Sequence, residues 1–167
     1  NIGADGIKTG FLTVEKYSLA ASILSGKRRI TGVASGFQTK NSRSRESIKI
    51  LSWGLRNFDT VKIAIKEEPI EKLNVWLGKK KKVEAVVYED IYLTIPKRKK
   101  KTIKAVIEYT GPIKAPISKG DKIGLLNIYI SDELKKKVDI FSNEDIKRAN
   151  IFSRLLQSLN FLVWGDV

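Results

Sequence analysis

Residues 3–12 read GADGIKTGFL, and the way the glycines, the lysine and the threonine of this stretch are taken decides the reading of everything behind them. A phosphate-cradling loop of the G-x-x-x-x-G-K-[ST] type needs glycine directly before lysine, so that successive backbone amides curl around the anion. Here Ile7 stands between Gly6 and Lys8. The spacing also fails the dinucleotide pattern G-x-G-x-x-G, and no strand–helix–strand unit follows. What remains is a strand carrying Lys8, Thr9 and Gly10, which by itself is compatible with an ordinary exposed strand end.

Working outward, three short antiparallel strands are expected over residues 7–14, 17–24 and 30–35, with Ser25, Gly26 and Lys27 as the second turn. Ile48, Leu51, Leu55 and Phe58 then fall at spacings of three and four, with Ile50 on the flank, which predicts an amphipathic helix over residues 44–58. Three strands and one helix cover only one face of the sheet, so its other face should meet further elements or a second copy of the chain, a homo-oligomer. From residue 61 the pattern alternates, as in Ile103, Ala105, Ile107 and Tyr109, and turns at Gly78, Pro96, Gly111, Pro116 and Gly120 divide strand-like runs at spacings typical of a small β-sandwich. Residues 1–60, 61–142 and 143–167 are therefore expected as an α+β unit, an all-β sandwich-like domain and a terminal amphipathic helix.

In that tail Ser142 or Asn143 is the expected cap, with Glu144 and Asp145 in the first turn. Ile151, Phe152, Leu155, Leu156, Leu159, Leu162 and Val163 line one face and Trp164 closes it, over a length too short to span a bilayer. Two readings stand: a helix lying in a membrane interface, with Trp164 as its anchor, or a last helix packed on protein. Trp53 and Trp76 have neighbours suited to core packing.

The 167 residues carry 32 Lys and Arg against 18 Asp and Glu, a formal charge of +14, so anionic partners are favoured. With no cysteine and no histidine the chain has no disulfide, thiolate nucleophile, imidazole base or usual zinc ligand set, and neither metal nor cofactor is expected. Catalysis would have to use Ser, Lys, Asp or Glu. The lysine runs at residues 79–82, 97–101 and 135–137 sit at expected strand junctions without interleaved aromatics or a recognition helix, so nucleic acid is not the expected partner. They read as solvated loop tips that add attraction to an anionic membrane surface. Without methionine or an apolar leader, the chain reads as a fragment or a processed product.

Lys8-Thr9-Gly10 is also the K-[ST]-G motif of serine acyltransferases acting on D-alanyl peptides and β-lactams. Around it stand Asp5 and Gly6, then Arg43, Glu46, Ile50, Leu51 and Gly54 in an R-x-x-E-x-x-x-Φ-L-x-x-G arrangement (Φ apolar), then VWLG at residues 75–78, DIYLTIP at 90–96 and KAPISKGDKIG at 114–124. Taken together, the chain resembles the closing part of the low-molecular-mass penicillin-binding proteins, the D-alanyl-D-alanine carboxypeptidases. The resemblance implies a remnant of the catalytic domain followed by that family's all-β domain and an end helix anchoring it to the outer face of the cytoplasmic membrane. It implies that Lys8 supplies fixed positive charge at the reacting centre, that Thr9 binds the substrate's terminal carboxylate, and that Gly10 leaves room for the substrate backbone. Arg43 would help organise substrate, the plainer view being an ion pair with Glu46. Peptidoglycan pentapeptides and β-lactams would be the ligands. The chain departs from the family at Phe11 and, more seriously, contains no S-x-x-K, the nucleophile motif. A non-catalytic module that positions cell-wall enzymes at the membrane is the alternative reading.

Overall fold

The computed structural model describes residues 3–26 and 28–164, with the side chains of residues 160–164 outside that description. Lys27 of the expected second turn thus lies outside the described residues. The chain divides into two compact units, Asn1–Thr60 with Thr94–Lys100, and Val61–Leu93 with Lys101–Val167.

The first unit is an antiparallel meander of β1 (Ala4–Leu12), β2 (Lys16–Ser25) and β3 (Arg28–Phe37), in that spatial order, followed by α1 (Lys40–Asn57). Each strand is longer than the alternation alone suggested. The helix begins four residues earlier than expected because Thr39 closes a capping box: its hydroxyl accepts the Ser42 amide at 3.0 Å while its own amide donates to Ser42 Oγ at 3.1 Å. Its far end is fixed by Arg28, whose guanidinium donates to the carbonyls of Leu55, at 2.9 Å, and Phe58. The buried stripe is Ser47, Leu51 and Gly54, with Leu55 beside it, packed on Leu19, Ala21, Ile23 and Ile30. That stripe lies one position around the helix from the expected one, which leaves Ile48 and Ile50 exposed and makes Phe58 the first residue of the next strand. Close approach explains the shift: a Cβ on Gly32 would come 3.1 Å from Leu51 Cδ2, so bare backbone there lets the helix sit down on the sheet. Trp53 departs from its expected core role, being exposed and set edge-on against Phe58 at 5.2 Å.

The second unit is built on a six-stranded sheet. β4 (Phe58–Ala64) and β7 (Ile91–Pro96), each divided in sequence between the two units, pair as a two-stranded ribbon. β5 (Glu71–Trp76), β6 (Lys82–Val86), β8 (Ile103–Glu108), β9 (Ile113–Lys114), β10 (Lys122–Ile130) and β11 (Glu133–Ser142) form the sheet in the order β8-β10-β11-β6-β5-β9. Its core includes Leu73, Val75, Val83, Ala85, Leu126, Ile128 and Ile140, joined by Ala64, Ile91, Ile117 and Ile146. Alternation on β10 places Leu126 and Ile128 inward, and the chain is mostly β with few helices.

Two expectations about the lysines and the tail need correction. Residues 135–137 lie inside β11 rather than at a junction, with Lys136 opposite Ile128 and Lys137 opposite Asn127. Residues 142–146 stay out of helix because Ser142 Oγ bonds the Glu144 carbonyl at 2.6 Å and Ile146 bridges to Ile117. α2 runs Ile151–Trp164 and its cap is Asn150, whose side chain accepts the Ser153 amide at 2.8 Å.

Truncating Ile128, fully buried at the middle of β10, should destabilise the second unit by about 2–5 kcal/mol. Urea unfolding of Ile128→Ala checks this; a midpoint matching the parent chain would place the core elsewhere.

Candidate functional site

β1 is an edge strand: among the described residues nothing pairs with its outer side, so its free backbone groups are open to an extended ligand. Opposite β2, Lys8 stands across from Ala20, Thr9 from Leu19, Gly10 from Ser18 and Phe11 from Tyr17. Residues directly opposite each other in an antiparallel ladder share a face. Leu19 packs toward the helix, so Thr9 and Phe11 lie on the α1 side of the sheet, whereas Lys8 and Gly10 lie on the other. Both Lys8 and Thr9 are exposed, and Lys8 has no acidic partner among the described residues. A Cβ on Gly10 would meet Ser18 Oγ at 2.6 Å, so this position is bare where the strand surface is otherwise filled.

Arg43 comes to the same side of the sheet as Thr9. Its guanidinium lies 5.7 Å from the Tyr17 ring centroid, and Tyr17 in turn packs on Phe11 at 4.6 Å. The expected ion pair to Glu46 does not form. Glu46 is held instead by Arg45 at 2.8 Å and Lys49 at 3.1 Å, which leaves Arg43 free to face the β1–β2 ladder.

Sequence reasoning missed what holds β1 in register. The ladder slips between Gly6 and Lys8, bulging out Ile7, and directly before that slip Asp5 accepts from Ser22 Oγ at 2.5 Å and from Arg29 at 2.6 Å, with Arg29 also donating to Ser22. This clamp ties all three strands together. The hydrogen bond from Ser22, and next the one from Arg29, hold the Asp5 carboxyl below the usual carboxylate range. The only signal in the sequence was an acid beside the motif and an arginine two strands away.

At the other end of the chain, Gln157 Oε1 accepts the Leu77 amide at 3.0 Å, so the polar side of α2 meets the second unit. Phe152, Leu155, Leu156 and Leu159 are exposed, Phe152 at 88%. Leu162 and Trp164 belong to the helix, with side chains outside the described residues. Among the described residues no helix is long and apolar enough to cross a membrane, and no cluster of acids suits a metal ion.

Residues 58–148 match the sequence profile of the family described as penicillin-binding protein 5, C-terminal domain. The chain belongs to that family. D-alanyl-D-alanine carboxypeptidase DacA of Haemophilus influenzae is 32% identical over 166 residues, 98% of this chain and 42% of the relative. D-alanyl-D-alanine carboxypeptidase DacD of Salmonella typhimurium is 30% identical over 152 residues, 90% of this chain and 39% of the relative. Among solved structures, penicillin-binding protein 5 from H. influenzae superposes with a TM-score of 0.71 at 31% identity, covering 88% of this chain and 43% of that one. The carboxypeptidase DacD from Francisella tularensis gives 0.63 at 26% identity, covering 88% and 37%. The chain thus spans about two fifths of the length of the relatives it matches.

Because the Asp5 carboxyl is depressed in the folded state, its contribution is present at neutral pH and is lost as pH falls through that lowered value. Amide exchange along β1, corrected for intrinsic rates, should therefore lose protection below the usual carboxylate range. Asp5→Asn should show the same loss already at neutral pH, and unchanged protection in that variant would remove the clamp from the account.

Proposed function

We propose that this chain is the C-terminal portion of a serine-type D-alanyl-D-alanine carboxypeptidase that removes the terminal D-alanine of peptidoglycan stem peptides and binds penicillin. The observation that carries the reading is Lys8-Thr9-Gly10 on an open sheet edge, with Arg43 brought to the Thr9 side through Tyr17. An extended D-Ala-D-Ala peptide can lie along that edge, with Thr9 and Arg43 taking its terminal carboxylate, Gly10 giving clearance and Lys8 adding positive charge at the reacting carbonyl. In the whole enzyme a serine attacks that carbonyl, D-alanine leaves, and water hydrolyses the ester. Residues 1–60 are on this reading part of the catalytic domain, and residues 61–142 a sandwich-like accessory domain. The chain itself contains no S-x-x-K, the nucleophile motif of that family.

The protein in which this chain accompanies an S-x-x-K motif should release D-alanine from diacetyl-Lys-D-Ala-D-Ala, and Thr9→Ala should lower kcat/KM by about a hundredfold, the scale for losing a carboxylate-anchoring contact in a dry site. A Thr9→Ala enzyme with parental kcat/KM would remove Thr9 from the substrate site. The chain alone should remain unlabelled by a fluorescent penicillin, and stoichiometric covalent labelling would overturn its lack of a nucleophile.

We further infer that α2 anchors the protein peripherally at an anionic membrane, on the extracytoplasmic side. Support comes from the inward Gln157 and the outward Phe152, Leu155, Leu156 and Leu159, an arrangement suited to the headgroup boundary. Co-sedimentation with phosphatidylglycerol vesicles should fall sharply for Leu155→Glu/Leu156→Glu. Binding that survives this change would make the lysine runs, rather than the helix, the anchor.

A further inference from the structure

The end of α1, the start of β4 and the turn that follows β7 enclose a concave pocket of about 460 Å³, a size suited to a small ligand. It lies wholly within the first unit and uses none of Lys8, Thr9, Gly10 or Arg43. One wall is Trp53, 54% exposed and braced by the edge-on Phe58 and by Asn57, whose amide donates to the Trp53 carbonyl at 2.9 Å. The rest of the rim carries Arg56, Lys97 and Arg98, all exposed.

The charges around this pocket do not balance. Asp59, the acid beside it in sequence, is already engaged by Lys100 at 3.3 Å, and Arg28 is turned onto the carbonyls of Leu55 and Phe58. Arg56, Lys97 and Arg98 therefore have no carboxylate partner among the described residues. Three like charges gathered at a concavity repel one another, and a guanidinium pair is well shaped to fork onto carboxylate or phosphate oxygens. Beside them the braced indole offers a flat apolar surface to the water. A ligand that relieves both costs has a ring with an apolar face and an anionic substituent.

We propose that this pocket binds an anionic saccharide, the sugar ring covering Trp53 and its carboxylate or phosphate held by Arg56, Arg98 and Lys97. A single-stranded nucleic acid would share the chemistry, but it needs a row of stacking faces along a basic track, and here one indole stands in a bounded pocket. The inference does not depend on the carboxypeptidase reading.

Calorimetric titration of the full 167-residue chain separates the requirements. N-acetylmuramic acid carries a ring and a carboxylate, glucosamine 6-phosphate a ring and a phosphate, N-acetylglucosamine a ring alone, and inorganic phosphate a charge alone. At least one of the two charged sugars should bind about tenfold more tightly than either single-feature probe, and the tighter of the two identifies the anionic group. Arg56→Gln/Arg98→Gln, two exposed changes that leave the core untouched, should weaken that binding about tenfold, and Trp53→Ala, with an unchanged circular dichroism spectrum, by a similar factor. The proposal falls if neither charged sugar binds, if N-acetylglucosamine or phosphate binds as well as they do, or if the arginine pair can be removed without loss. Tighter, Trp53-dependent binding of oligo(dT) would also overturn it, in favour of nucleic acid.

Discussion

The first unit depends on three polar atoms sets meeting at one point: the Asp5 carboxylate, the Ser22 hydroxyl and the Arg29 guanidinium. An edge strand bonded on one side only is free to slip, and a slip by one residue would exchange every side chain between the two faces of the sheet. β1 already contains one irregularity, at Ile7. The clamp sits immediately before it and so determines which of Lys8 and Thr9 faces the helix. A hydroxyl that is almost fully buried at Ser22 is tolerated because both its neighbours satisfy it. The placement of the Lys8-Thr9-Gly10 motif thus rests on a residue outside it.

Much of this was legible from residue order. The meander, the helix and the alternating strands of the second unit all follow from periodicity and turn residues, because those signals come from a single element and its burial. Where the sequence misled, the deciding partner was distant. Ile48 looked like a core residue by spacing, yet the bare backbone of Gly32 drew Leu51 inward and turned Ile48 out. Glu144 and Asp145 looked like a first helical turn, yet Ser142 and Ile117 captured that segment and left Asn150 to cap the helix.

The same distinction holds at the candidate site. Lys8, Thr9 and Gly10 could be read as a unit because they are consecutive on one strand. That Arg43 joins the Thr9 side of the sheet could not, since the link passes through Tyr17 and Phe11, and local pairing rules favoured Glu46 instead. Trp53 was assigned to the interior because its sequence neighbours suit core packing; the structure leaves it exposed beside Arg56 and, from a distant segment, Lys97 and Arg98. Residues that act through neighbours on other elements are the ones a linear reading loses.

The terminal helix reverses the usual order of a surface helix, with a glutamine turned to the protein and leucines turned to water. For most proteins, giving an apolar stripe to a new environment first requires prising it from a core, and the cost of that opening sets the rate and affinity. Here that cost has no counterpart. The free energy of hiding Phe152, Leu155, Leu156 and Leu159 is available undiminished to whatever nonpolar phase comes near, so contact with it can be fast, reversible and independent of any unfolding of the domain that carries the helix.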